Sequence, residues 1–410
     1  AVASGALASG DTVIVNADGT VSVVSGNDQG LGSGVVYESA GTNAISTVYD
    51  TANNKIVVGY RDNGDSNYGK AVVGTVSGNS ISFGSPVTFY NAAAMNMLNT
   101  VFDTNSGKIV FVFKGSSNYG IAIVGTVSGT SISFGSTTNF LESTISGDFI
   151  GLAYDSTNNK VVLGYRSGNL GKSRVGTVSG TNISFGSEVT FNSSGGANGN
   201  QIVYDPNAQK FLFVYQDGGN GAKGTAIVGS VSGTNISFGT AVVFNSANSN
   251  SFGISYDANA QKVLIAYMDE GNSYYGTCIV ATVSGTSVSF GSEVVFATVS
   301  SGLNQIVYDA SAKKHVIMYR YQVSPNYEGF ILSATISGTS VSFETAVSFA
   351  SGSFGSGGIA YDPDEEKVVI AYSDADNSSY GTAKVFTVAS TTLTAENYIG
   401  IASNGYATGQ

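Results

Sequence analysis

Seven aspartates each follow an aromatic residue, at Tyr49-Asp50, Phe102-Asp103, Tyr154-Asp155, Tyr204-Asp205, Tyr256-Asp257, Tyr308-Asp309 and Tyr361-Asp362. So many carboxylates invite a metal or acid–base reading. Each, however, leads through small polar residues to a lysine, in the pattern Asp-x-x-x-x-Lys. That spacing predicts an Asx-type turn in which the carboxylate accepts backbone N–H bonds. Arg61, Arg166 and Arg320 share one equivalent position and could grip a carboxylate bidentately; drift on a surface would also leave arginines there. The paired acids Asp62/Asp65, Asp269/Glu270 and Asp374/Asp376 could hold Ca²⁺ with nearby amide and backbone oxygens. Their spacing completes no loop motif, so solvated loop acids are the plainer reading. His315 is the only histidine and Cys278 the only cysteine, which leaves no zinc set, no nucleophile–histidine system of the usual kind and no intrachain disulfide. His315 falls in an outer part of its repeat and is expected at the surface. Cys278 is expected to be a small buried hydrophobe.

The elements that carry these residues repeat. The aromatic-Asp pairs are spaced by 53, 52, 50, 52, 52 and 53 residues, the signature of one supersecondary unit written several times. In the second unit, Met97–Phe102, Ile109–Phe113, Ile121–Val127 and Ser131–Phe134 read as four strands, closed by a short stretch at Phe140. Val, Ile, Phe, Tyr and Thr fill the runs, and Gly, Asn, Ser and Asp separate them. Four strands in about 52 residues predict an all-β fold, a seven-bladed β-propeller of four-stranded antiparallel blades. The seventh unit ends without a Ser-Phe-Gly strand. Leu31–Tyr37 reads like Phe290–Phe296, so the N-terminal strand is expected to complete the last blade and close the ring.

Loops alternate between the two faces of such a ring. The Asp turns and the Ser-Gly-Thr turns on one face are nearly uniform, whereas the loops between second and third strands differ from copy to copy. A diversified face points to recognition. If that face binds a sugar, the candidates are Asn67, Tyr68, Tyr274, Tyr321, Asn326 and Asn377, with Arg61, Arg166 and Arg320 beside them. Tyrosine offers an apolar face, and amides bond hydroxyls.

Composition narrows the partners. Only 11% of the 410 residues are charged, and the net charge is −11 with no basic cluster, so nucleic acid is an unexpected partner. No apolar run approaches the length of a helical membrane span, and no secretion signal is visible. Three regions are expected: a flank at 1–26 with a hairpin turning at Asp18-Gly19, a propeller at 31–390, and a flank at 391–410. The flanks offer a route to a homo-oligomer and fit a propeller set inside a longer protein.

A resemblance adds to this. Gly10–Val21, Leu393–Gly400 and the recurring Val-Gly-Thr-Val-Ser-Gly-Thr-Ser-Ile-Ser-Phe-Gly resemble tail-fibre and appendage proteins of tailed bacteriophages of marine bacteria. The resemblance implies a virion-surface or extracellular location and a partner that is a host glycan or protein, or another virion protein. It implies no catalytic residue. The sixth unit departs from the repeat at Tyr321–Glu328, and at Glu344, which replaces a glycine. Three arginines on a propeller face are also similar to sialidases, but the Ser-x-Asp-x-Gly-x-Thr-Trp turn is absent and the chain has no Trp. Three readings result: a non-enzymatic attachment module, a purely structural spacer, and a glycan-cleaving enzyme. The last needs two carboxyls about 5–9.5 Å apart in a pocket.

Overall fold

The computed structural model describes residues 12–15, 20–23, 28–92, 95–147, 149–321, 327–389 and 398–401. They belong to two units, Leu31–Phe386 and the flanks Ala1–Gly30 with Thr387–Gln410. In the flank unit, Thr12–Val15 lies between Val21–Val23 and Tyr398–Ile401 in a small antiparallel sheet. The expected Asp18-Gly19 turn lies outside the described residues.

The larger unit is built from antiparallel meanders. In repeat two, Asn96–Asp103, Lys108–Lys114 and Gly120–Ser128 pair in order. Ile109–Phe113 is buried along its whole length, as expected of a strand covered on both faces by neighbouring sheets. The edge Ser131–Phe134 alternates between exposed and buried residues. The sequence predicts one edge strand followed by a closing stretch; both are edge strands. Ser131–Phe134 pairs with Gly125–Ser128, and Thr138–Leu141 pairs with Gly120–Ala122 of the same third strand. In three places the second edge segment runs without a loop into the next repeat: Val242–Asp257, Val294–Asp309 and Val35–Asp50 are each one continuous strand.

The break in the edge has a packing cause. A Cβ at Gly84 would overlap the carbonyl oxygen of Thr130 in the next repeat. Gly135, Gly186, Gly239 and Gly291 meet Thr181, Thr234, Thr286 and Thr339 in the same way. Each Ser-Phe-Gly glycine is therefore the seat for its neighbour's turn. Glu344 takes this position in repeat six, next to the repeat that has no Ser-Gly-Thr turn, so nothing there requires a glycine. Its carboxylate instead pairs with Lys314. Gly84→Ala is expected to cost about 1–3 kcal/mol by overpacking, and Glu344→Gly less than about 1 kcal/mol. Equal losses in urea unfolding would contradict this account.

The start of the unit lies in the sheet of its last repeat. Val35 and Val36 pair with Ala383 and Thr382, and Gly32 N–H donates to Val385 O at 2.8 Å. A Cβ at Gly32 would overlap Asn79 O, in the turn of repeat one, so Gly32 supplies the glycine seat that repeat seven itself lacks. Tyr37 is buried with its ring 5.2 Å from that of Tyr60 and 5.5 Å from that of Phe83, in a cluster that joins Ile45 and Ile56 to Val369 and Val385. Among the innermost strands, Gly358 of repeat seven lies so near repeat one that a Cβ would come within 2.8 Å of Thr47 N.

Candidate functional site

The recurring aspartates form the turns their spacing predicts. Asp50 Oδ1 accepts from the N–H groups of Ala52 at 2.9 Å and Asn53 at 3.1 Å. Asp103, Asp155, Asp205, Asp257, Asp309 and Asp362 repeat the same pair of bonds. These carboxylates are nearly buried and committed to the backbone.

His315 corrects its sequence expectation. It is fully buried, 3.6 Å from Asp257 Oδ2 of the preceding repeat, with the Tyr308 ring 5.2 Å away. The strand that carries it is covered on both sides, so it offers no surface position. Neither ring nitrogen has a hydrogen-bond partner among the described residues, and 3.6 Å is beyond hydrogen-bond range. Burial lowers the imidazole pKa from 6.5, and Asp257 offsets only part of that. The folded protein therefore refuses a proton that the unfolded chain accepts, so stability is expected to fall as pH drops below 6.5. His315→Val should flatten that slope in pH-dependent unfolding; an unchanged slope would refute it.

The arginines do not form a common clamp. Arg61 donates to Asn96 Oδ1 and, at 3.3 Å, to Met95 O of the next repeat. Arg166 reaches Asn198 Oδ1 at 2.6 Å, and Arg320 reaches Phe354 O at 3.3 Å. Each ties the end of a second strand to the start of the following repeat. The loop acids are engaged as well. Asp62 and Asp65 share Lys70 at 2.8 and 2.9 Å. Asp269 accepts from Gly271 N–H at 3.0 Å, and Glu270 accepts from Asn248 and Asn250 at 2.6 Å each. Asp376 accepts from Ser351 at 2.7 Å, while Asp374 starts a short 3-10 turn without a side-chain cap. No group of three or more potential metal ligands of the His, Cys, Asp or Glu type occurs among the described residues.

One hollow lies where the first strands of the repeats begin. A cavity of about 480 Å³ is lined from all seven repeats, by Asn43–Thr47, Asn96–Asn99, Phe149, Ile150, Gln201, Phe252–Ile254, Leu303–Ile306, Gly355–Gly357 and Ile359, with Lys114 at the end of a second strand. A second hollow of about 410 Å³ is lined by Ser146, Phe149, Arg166, Asn198, Gly199, Gln216 and Asn250–Phe252. Phe149 lines both and is 39% exposed, unusual for phenylalanine.

A recurrent bulge shapes the wall. Ala44, Met97, Ser251 and Leu303 adopt left-handed φ values of 47°, 55°, 53° and 51° in equivalent positions, with Gly199 at 61°. The strand pairing skips there, as between Asn43 and Ser46 and between Asn250 and Gly253. Bulky residues in this region store strain; here the bulge brings the flanking amides to the cavity. Amides here form a chain over two repeats. Asn198 donates to Gln216 at 3.1 Å, and Gln216 donates to Asn248 at 2.7 Å; Asn248 then donates to Glu270. Oδ1 of Asn250 and of Asn304 are buried and have no hydrogen-bond partner among the described residues. No Asp or Glu occurs among the described lining residues.

Of the predicted binding residues, only Arg166 lines these hollows. Arg61 and Arg320 stand at equivalent strand ends. Asn67, Tyr274 and Asn377 lie on the loops between second and third strands, where Tyr274 is 49% exposed, and Tyr68 opens a third strand. Tyr321 packs against Phe330 at 5.7 Å, and Asn326 lies outside the described residues. The missed residues are the amides at the starts of the first strands. Asn43, Asn96, Asn198 and Asn250 each stand six residues before the aromatic of the aromatic-Asp pair, and aligning the repeats on that pair exposes them.

No protein-family model and no curated protein matches the chain. Solved structures do resemble it. Sqt1 of Chaetomium thermophilum aligns with a TM-score of 0.51 at 11% identity, covering 87% of this chain and 100% of Sqt1. A triple mutant of AofleA from Arthrobotrys oligospora gives 0.50 at 9% identity, covering 82% and 93%. A mutant of the Aleuria aurantia lectin in complex with Fucalpha1-6GlcNAc gives 0.47 at 12%, covering 76% and 97%. At such identities the likeness speaks to the fold alone, an all-β, propeller-like set of antiparallel sheets.

Proposed function

We propose that Leu31–Phe386 form a closed seven-bladed propeller whose axial cavity binds a saccharide, without catalysis, as the attachment module of a tailed-phage appendage. The observation that carries the binding reading is the cavity itself, to which every repeat contributes and in which planar amides surround an exposed phenylalanine. Its volume falls in the usual range for small-ligand sites. An aromatic ring covers the apolar face of a sugar, and amides serve as both donor and acceptor to its hydroxyls. Closure accounts for the pairing of Val35 with Ala383 and for the seat that Gly32 gives Asn79. A two-carboxylate glycosidase mechanism finds no carboxylate among the described lining residues. The virion setting rests on the sequence resemblance of the repeats and flanks.

The test is a glycan array together with binding to host cells. Wild-type protein is expected to bind a defined saccharide set, and Phe149→Ala to weaken that binding about tenfold, as losing one aromatic contact does. Binding that Phe149→Ala leaves unchanged would move the site elsewhere. A protein that binds no saccharide and no cell, yet occupies both faces within a particle, would be a spacer.

A further inference from the structure

Twelve residues after the aromatic of each aromatic-Asp pair, at the end of each second strand, stand Arg61, Lys114, Arg166, Gln216, Met268, Arg320 and Ser373. Four of these seven are cations, in a chain with 17 basic residues, a net charge of −11 and 11% charged residues overall. None of the four is in an ion pair among the described residues; the pairs there involve Lys70, Lys172, Lys314 and His315. The arginines are held only by neutral acceptors. Arg166 donates to Gly168 O at 2.8 Å, Asn169 Oδ1 at 3.1 Å and Asn198 Oδ1. Arg61 uses Asn63, Asn96 and Met95 O, and Arg320 uses Phe354 O and the Tyr327 ring. Lys114, half-buried, lines the axial cavity, and its ammonium has no hydrogen bond or ion pair among the described residues.

Among the described residues, acids of the same loops are already engaged. Asp62 is bound to Lys70, Asp217 accepts from Asn192 and Gly219, Asp269 accepts from Gly271, and Glu270 is shared by two asparagines. Burial disfavours the charged forms of Arg61 and Arg320, and neither has a counter-ion among the described residues. Uncompensated charge of one sign around a low-dielectric hollow focuses its field there.

We infer that the axial cavity selects an anionic saccharide, one bearing carboxylate or sulfate groups, with Lys114 as its direct counter-ion and Arg61, Arg166 and Arg320 as fixed positive charges around the mouth. The inference rests on the proposed saccharide-binding role and adds the ligand's charge. Lys114 is free to move its ammonium onto the anion, whereas the arginines are fixed between repeats and raise the potential without converging on one group.

The test compares oligogalacturonate, its methyl ester and a sulfated galactan by titration calorimetry on the whole chain. The two anionic probes are the alternative sources of charge. Tighter binding of oligogalacturonate identifies a carboxylate ligand, tighter binding of the galactan a sulfate ligand, and either supports the inference. The expected result is that at least one anionic probe binds about tenfold more tightly than the neutral ester, and that the advantage shrinks at high salt. Lys114→Gln should remove most of the advantage and Lys114→Arg should keep it. Lys114 makes no structural bond, so both variants should fold as wild type. Affinity for both anionic probes no greater than for the ester, or an unaffected Lys114→Gln, overturns the charge inference and leaves saccharide binding standing. No binding to any of the three, with only neutral glycans retained on the array, also overturns it alone. An empty array overturns both.

Discussion

A chain that begins at Thr42 is expected to be about 3–5 kcal/mol less stable than one that begins at Leu31. The comparison isolates residues 31–41, because the N-terminal flank is absent from both. Those residues supply the edge of the last sheet through the pairs Val35 with Ala383 and Val36 with Thr382. They also supply Tyr37, which is 7% exposed and sits between the rings of Tyr60 and Phe83. Burying one such ring is worth about 1.5–3 kcal/mol, and the lost ladder bonds add about 1 kcal/mol each before edge solvation returns part of it. Removing the segment also bares the apolar edge of Tyr380–Thr387, an invitation to intermolecular pairing. Urea unfolding with light scattering reads both effects. Coincident midpoints and a monodisperse truncated chain would reject the proposed closure.

Phe111→Ala is expected to cost about 3–5 kcal/mol. Phe111 is fully buried, with Phe89 at 5.2 Å and Phe134 at 5.3 Å, in a cluster drawn from repeats one and two. Its space is made by a glycine in the preceding repeat, since a Cβ at Gly59 would come within 3.0 Å of Phe111 Cε1. Gly164 and Phe213 repeat the arrangement between repeats three and four, again at 3.0 Å. The rigid sheets on either side cannot close over the hole, so the loss should sit at the high end for a core truncation. Gly59→Ala alone should also destabilise by overpacking, and in the Phe111→Leu background it should cost less, giving a coupling of about 1 kcal/mol or more in a double-mutant cycle. Strict additivity would mean that the two residues do not share one space.

The wall of the cavity shows a similar complementarity. Gly151, Gly253 and Gly358 occupy the position filled by Ser46, Asn99, Gln201 and Gln305 in the other repeats. Asn99 donates to Ile150 O at 3.0 Å and Gln305 to Gly357 O at 2.6 Å, each reaching the repeat that carries the glycine. The amides therefore have two tasks, joining neighbouring innermost strands and presenting polar atoms to the cavity.

The chain by itself determined the repeat, its all-β character and the Asp turns, because these depend on local signals. A period near 52 residues, runs of β-branched and aromatic residues, and Asp followed by small polar residues are each readable within a few dozen positions. The match between Leu31–Tyr37 and Phe290–Phe296 also gave the partner of the last sheet, since the missing edge had to be found elsewhere in the chain. Only the tertiary structure decided why Glu344 stands where five repeats have glycine, because the cause is a turn in the adjacent repeat rather than anything near Glu344. It also decided the burial of His315, which depends on a neighbouring sheet covering a strand that looks peripheral in its own repeat. Above all it located the cavity. Asn43, Asn96, Gln201 and Asn304 read as ordinary polar positions in a strand, and they acquire a shared role only when separate repeats bring their first strands together around one hollow. Convergence of that kind is a property of packing between distant segments, which no local pattern encodes.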